Sequence, residues 1–143
     1  MLGVDVGARR LGLALSDASG RLARPWQTLP AGPTPAASAE AVAGLISRHS
    51  DELTGEAAGL GRIVVGFPRR LNGDETDQSK MCREFAAAIG RLTGLDVRLQ
   101  DERLSSREAE ALLARDERDW RERKKKIDAV AAAIILQDYL DHA

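Results

Sequence analysis

The chain opens on two short apolar runs, "MLGVDV" and "RLGLALS", split by "GARR". This is the pattern of two strands joined by a hairpin. A third strand is expected across "GRLARPWQTL", after the turn signal Asp17-Ala18-Ser19-Gly20. Pro25 inside that run predicts an edge strand or a bulge. "PAGPTPAAS", rich in proline and glycine, reads as a loop. Ser38 is then expected to cap a helix with apolar-stripe positions at Val42, Leu45, Ile46, His49 and Leu53. "RIVVGF" is a continuous apolar run, the mark of a strand buried on both faces. Beyond the polar stretch "PRRLNGDET", a second helix carries Met81, Cys82, Phe85, Ile89 and Leu92 on one stripe. "DVRLQ" is a fifth strand. Ser105 with Glu108 forms a capping box for a short third helix. A last helix is expected from about Lys124 to Leu140. The order β-β-β-α-β-α-β-α-α predicts an α/β fold: a five-stranded mixed sheet with helices on both faces. Ligands of such sheets bind where parallel strands expose their carboxyl ends.

Bulk properties narrow this further. A length of 143 residues fits one domain, residues 1–143, with a real core. The composition is globular, 43% hydrophobic and 30% charged. A net charge of -1 gives no global basic field, so a nucleic-acid partner must be met by a local patch. The single Cys82 excludes a disulfide framework within the chain and a cysteine-rich zinc site, and suits a cytoplasmic location. No stretch reads as a signal peptide or membrane span, so no membrane partner is expected.

Three carboxylates are poorly explained by propensity. Asp5 lies within an apolar strand, where aspartate is depleted and an uncompensated charge is costly. It could simply end the strand and accept backbone donors from the turn. Asp101-Glu102 leave the fifth strand. Neighbours on a strand face opposite ways, so only one of the two can join a site over a given face. Asp128 sits in "IDAVAAAIILQDYL", a helix apolar nearly all the way round and therefore largely buried. A solvated face explains Asp128 badly; a favourable place near the helix start is the competing explanation. Together the three point to a cluster of hard oxygen donors, suited to Mg²⁺ or Mn²⁺ rather than zinc. Paired ions in such clusters serve phosphoryl chemistry.

Basic residues stand beside each acidic position. "RERKKK", residues 121–126, places five positive charges against one negative just before Asp128. Arg9 and Arg10 follow Asp5, Arg103 follows Glu102, and Arg69 and Arg70 leave the fourth strand. Most charge runs are solvated faces, but lysine and arginine at these places also suit phosphate contacts. His49, His142 and Cys82 favour structural roles, while Trp26 and Trp120 could stack bases or equally serve as partly buried anchors.

Four motifs, "GVDVGARRLGLALSD", "IVVGFPRRLNGDE", "DERLSSREAE" and "RKKKIDAVAAAIILQDYL", together resemble the YqgF family, also called RuvX, of bacterial nucleases with the ribonuclease H fold. They occur in the family's order and span nearly the whole chain. The resemblance implies a sheet whose first three strands are antiparallel and whose remaining strands run parallel to the first. It implies catalytic and metal-holding roles for Asp5, Glu102 and Asp128, in a two-metal site of Mg²⁺ or Mn²⁺. Arg9, Arg10, Arg103, Lys124, Lys125 and Lys126 would contact nucleic acid. Ser105-Ser106 stand where the family pattern has two threonines, which keeps the hydroxyls and drops the methyls.

The activity the resemblance implies is hydrolysis of phosphodiester bonds at the 5′ end of precursor 16S ribosomal RNA. Two alternatives stay open: resolution of four-way DNA junctions, and a non-catalytic nucleic-acid-binding module of the same fold. A resolvase needs two active sites and hence a dimer; the sequence leaves monomer and homodimer open. The opening motif also resembles the phosphate-binding hairpin of actin-like ATPases. That architecture needs a duplicated domain, and the chain has no GxxxxGK loop.

Overall fold

The computed structural model describes residues 1–17, 19–49, 61–68, 76–102 and 120–142, with backbone alone at 102 and 120–126. Among these residues the elements are β1 (Leu2–Val6), β2 (Arg10–Ser16), β3 (Ala23–Pro30), α1 (Pro35–Arg48), β4 (Arg62–Pro68), α2 (Asp77–Thr93), β5 (Asp96–Glu102) and α3 (Trp120–Asp141). The five strands form one sheet in the order β3-β2-β1-β4-β5. β1 pairs antiparallel with β2, and β2 with β3; β4 runs parallel to β1, and β5 parallel to β4. This is the expected α/β arrangement. The carboxyl ends of β1, β4 and β5 therefore share one edge of the sheet.

β3 is an edge strand, and its register against β2 shifts between Leu13 and Ala14. Proline, which has no N–H to donate, is tolerated there. "RIVVGF" is central, and Ile63 through Phe67 includes four side chains at 1% exposure or less. The helices sit on both faces. α1 and α2 cover one with a core of large side chains, among them Leu2, Val4, Leu13, Ile63, Phe67, Phe85 and Ile89. α3 covers the other through Ala132, Ala133, Ile135 and Leu136 against Ala14 and Val64.

Several local expectations are corrected. Helix α1 begins a turn early: its cap is Thr34, whose hydroxyl accepts from Ala37 N at 3.1 Å. Pro35 occupies the first helical turn, where its fixed φ and missing N–H are harmless. Ser38 is instead a buried helical residue accepting from Gly32 N at 2.9 Å. His49 is the residue closing α1, half-buried at its end. Leu92, expected on the buried stripe of α2, is 51% exposed one turn beyond the last packed residue, Ile89. α3 starts at Trp120 rather than near Lys124, because "WRERKKK" consists largely of good helix formers. The helix capped at Ser105, Leu53, Arg69 and Arg70 lie outside the described residues.

Helix α2 ties two of the parallel strands together at their carboxyl ends. Its amino terminus carries a reciprocal cap between Thr76 and Ser79, and Gly94 ends it at φ 71°, in the left-handed region that glycine enters freely. From that first turn the Gln78 side-chain amide donates to the Val6 carbonyl, ending β1, and the Ser79 hydroxyl donates to the Pro68 carbonyl, ending β4. Backbone groups left over where a ladder stops are thereby satisfied.

Candidate functional site

Asp5 lies inside β1, not at its end. Its ladder partner across the sheet is Gly12 of β2. Even positions of β1, namely Leu2, Val4 and Val6, belong to the core under α1 and α2. Odd positions face α3: a Cβ built on Gly3 would lie 2.8 Å from Leu136 Cβ and 2.9 Å from the Ala132 carbonyl. By strand alternation Asp5, two residues on, shares that face. It is half-buried there.

Asp128 reaches the same place from the helix side. A Cβ on Gly12 would lie 1.8 Å from the Asp128 carbonyl oxygen and 2.2 Å from its carbonyl carbon. No side chain fits between the strand and the helix at that point. Gly12 thus does two things at once: it pairs with Asp5 in the ladder and receives the backbone of Asp128 from above. Asp128, Ala132 and Leu136 are spaced by four and form the stripe of α3 that lies on the sheet. Asp128 is eight residues past Trp120, more than two turns into α3. The dipole of the helix start, which acts over its first turn, therefore does not account for it.

Arg10 closes this corner. Its Nε donates to Asp128 Oδ2 at 2.7 Å, with the two side chains 43% and 21% exposed. Arg10 begins β2 just past the last β1–β2 ladder pair, Val6 with Leu11. Its carbonyl accepts from Gly7 N at 3.0 Å across the hairpin turn. Arg9 beside it is exposed, and its carbonyl accepts from Ala31 N at 2.9 Å. Both arginines stand at the carboxyl edge of β1.

The register of β5 separates Asp101 from Glu102. Asp101 pairs with Phe67, whose side chain lies in the core under α1 and α2. Glu102 pairs with Pro68 and has the parity of Gln100. Gln100 reaches α3, donating to Asp138 Oδ2 at 3.0 Å. Position 102 therefore belongs to the α3 face, like Asp5, at the shared carboxyl edge. Lys124, Lys125 and Lys126 occupy the turn of α3 before Asp128, and there the backbone alone is described. Arg103 lies outside the described residues. Among the described side chains, no three His, Cys, Asp or Glu groups form a metal-holding set; the Glu102 carboxylate is not one of those side chains.

The residues without evident chemistry behave structurally. Cys82 is buried in the larger core. His49 meets Trp26 edge to face, ring centroids 5.6 Å apart. What the sequence pattern does not single out is Gly12. A glycine inside a strand does signal close backbone approach, but only the packed helix shows which backbone approaches.

A family profile described as "RuvX: Holliday junction resolvase" matches residues 1–142. Three curated relatives carry the name "Putative pre-16S rRNA nuclease". One, from Chloroflexus aggregans, is 39% identical over 99% of this chain and 92% of its own length. One from Methylobacillus flagellatus is 38% identical over 99% and 90%. One from Lactococcus lactis subsp. lactis is 34% identical over 99% and 93%. Among solved structures, Thermus thermophilus RuvC in complex with a Holliday junction substrate aligns over 99% of this chain and 92% of that one, at a TM-score of 0.45 and 16% identity. A ROK hexokinase from the same species aligns over 77% and 37%, at 0.48 and 19%.

Proposed function

The chain belongs to the RuvX family, and from that premise we propose that this nuclease is dependent on a divalent metal and trims the 5′ end of precursor 16S ribosomal RNA. The observation that carries the metal-dependent reading is that Asp5 and the backbone of Asp128 both flank Gly12 on the α3 face of the sheet. The RNA assignment draws on the names of the curated relatives.

The donor chemistry fits Mg²⁺ or Mn²⁺. The candidate ligands Asp5, Glu102 and Asp128 are all carboxylates, and such hard donors prefer hard cations. Asp128 already holds a cationic group, the Arg10 guanidinium. Divalent ions, when bound, neutralise phosphate charge and activate water for in-line displacement. The chain's own part is positional. β1 fixes Asp5, the Gly12 contact fixes the depth of Asp128, and the β4–β5 register sets the face of Glu102. Arg9, Arg10, Arg103 and Lys124 to Lys126 would hold the phosphate backbone, which gives affinity without sequence reading. No helix among the described residues is long and apolar enough to cross a membrane, and a cytoplasmic place of work fits ribosomal RNA as substrate.

The deciding experiment is cleavage of labelled precursor 16S RNA, single-stranded RNA and four-way DNA, with Mg²⁺ or Mn²⁺. Asp5→Asn should abolish cleavage while leaving the fold intact, since it keeps size and removes the charge that binds the ion. Unchanged turnover would reduce Asp5 to a structural residue. Neutralising Lys124, Lys125 and Lys126 together should weaken binding of RNA and DNA alike. Each lost phosphate contact should reduce the log–log salt slope by about 0.7–0.9. A folded triple variant with an unchanged slope would move the phosphate track elsewhere.

The description of the family profile favours a second reading, junction resolution. It demands two sites on two strands, so a dimer in solution that cuts four-way DNA symmetrically would establish it.

A further inference from the structure

We propose that Arg10 is a built-in competitor for the metal: with no ion bound its guanidinium neutralises Asp128, and ion binding releases it toward the nucleic-acid backbone. This rests on the metal-dependent reading above and adds an order of events to it.

The argument begins with which partner can move. The Asp128 side chain is 21% exposed, on a helix whose backbone is pressed against Gly12. The Arg10 side chain is 43% exposed at the sheet's edge. Its backbone is anchored by the Gly7 N–H and by pairing with Pro30. Arg10 can therefore change only by swinging its side chain, and that side chain has solvent to swing into. Asp128 is held.

The second step is charge. A lysine or histidine displaced by a metal could shed its proton and stay in place. A guanidinium cannot, because it remains charged at any pH a protein survives. A divalent ion seated on Asp128 and Asp5 would repel it at close range. The relief is movement of the arginine away from the ion. A substrate phosphate brought to the carboxyl edge is an anion that an arginine fork grips well. Metal binding and nucleic-acid binding are then coupled, and the coupling is reciprocal.

The expected size is modest. An exposed ion pair of this kind amounts to a factor of about two to five in an equilibrium constant. Apparent metal affinity should carry that handicap.

The test uses the full chain without nucleic acid. Mn²⁺ binding is measured by calorimetry on the natural protein and on Arg10→Gln, Asp5→Asn and Asp128→Asn. Arg10→Gln should bind Mn²⁺ about two- to fivefold more tightly, and both aspartate variants more weakly. In parallel, the ¹⁵Nε–H resonance of Arg10 is followed in the natural protein as Mg²⁺ is added, which requires no variant to fold. It should lose its protection from exchange as the ion binds. Equal or weaker Mn²⁺ binding by Arg10→Gln, with the Arg10 signal unmoved by Mg²⁺, would overturn the proposal and make Arg10 a fixed support of Asp128. Absence of any Mn²⁺ binding that depends on Asp5 and Asp128 would overturn the metal-dependent reading itself, and the proposal with it.

Discussion

The two faces of the sheet are built on different plans. The face under α1 and α2 is filled by large apolar side chains: Leu2, Val4, Leu11 and Leu13 from the strands meet Val42, Leu45, Phe85 and Ile89 from the helices. The face under α3 is thin. Gly3, Gly12 and Ala14 present little or no side chain, and alanines of the helix come down onto them. On the first face, side chains hold the helices at a distance set by their volume. On the second, side chains such as Val64, Ile135 and Leu136 fill part of the space, but at Gly3 and Gly12 helix backbone comes directly onto strand backbone. Burial of apolar area drives stability, so the thick face carries most of the fold's free energy. The thin face gives up that area and gains fixed depth, because a backbone cannot be repacked as a flexible side chain can. The candidate carboxylates Asp5 and Asp128 are both on the thin face, as is position 102 by register.

The contrast can be broken most forcefully on the thick side. Phe85 is fully buried, and Phe85→Ala should lower unfolding free energy by about 3–5 kcal/mol in urea titrations. The fraction that remains folded should still cleave RNA at the natural rate per molecule. A collapse of turnover in that folded fraction would show that the thick face also sets the site.

On the thin side the loss should fall on function. Gly12→Ala sets a methyl group against the Asp128 carbonyl, and α3 must lift. Stability should drop by about 1–3 kcal/mol, as for other overpacked sites. Cleavage should drop roughly a hundredfold, the scale expected when a catalytic group is misplaced by about 1 Å. A variant that keeps its turnover would show that the helix can shift without moving Asp128 from Asp5, and the contrast between the faces would lose its meaning.

The smallest effect is expected away from both faces. Asp17, in the β2–β3 turn, is held below the usual carboxylate range chiefly by the Arg21 backbone N–H, helped by Leu22, Ser19 and Gly20. Its folded-state value is depressed. The stability it lends is therefore present above the unfolded value and lost as pH falls through the folded one. Asp17→Ala should lower the melting temperature slightly at neutral pH and not at all in strong acid, with cleavage unchanged. Calorimetric melting at the two pH values checks the sign; a deficit that persists in acid would assign the effect to turn geometry rather than charge.

Much of this molecule is written in its local patterns. Short apolar runs marked the strands, Pro25 marked an edge strand or a bulge, and the stripe carrying Cys82, Phe85 and Ile89 marked α2. Asp5 and Asp128 stood out because a carboxylate in an apolar strand or helix contradicts propensity, and that contradiction is visible without a structure. Alternation likewise separated Asp101 from Glu102. It could not say which of them faces α3, because that depends on pairing with Phe67 and Pro68 of a strand more than thirty residues away. Thr34 displaced Ser38 as the cap because several residues of "PTPAAS" can start a helix and packing selects among them; Ser38 is drawn inside and bonded to Gly32. Arg10 and Asp128 are 118 positions apart, and nothing local to either encodes their contact. It exists because Gly12 lets α3 settle onto β2. Sequence periodicity is one-dimensional and reports which face of an element is apolar. The depth at which two elements meet, and so which charges come within reach of each other, is decided only when they pack.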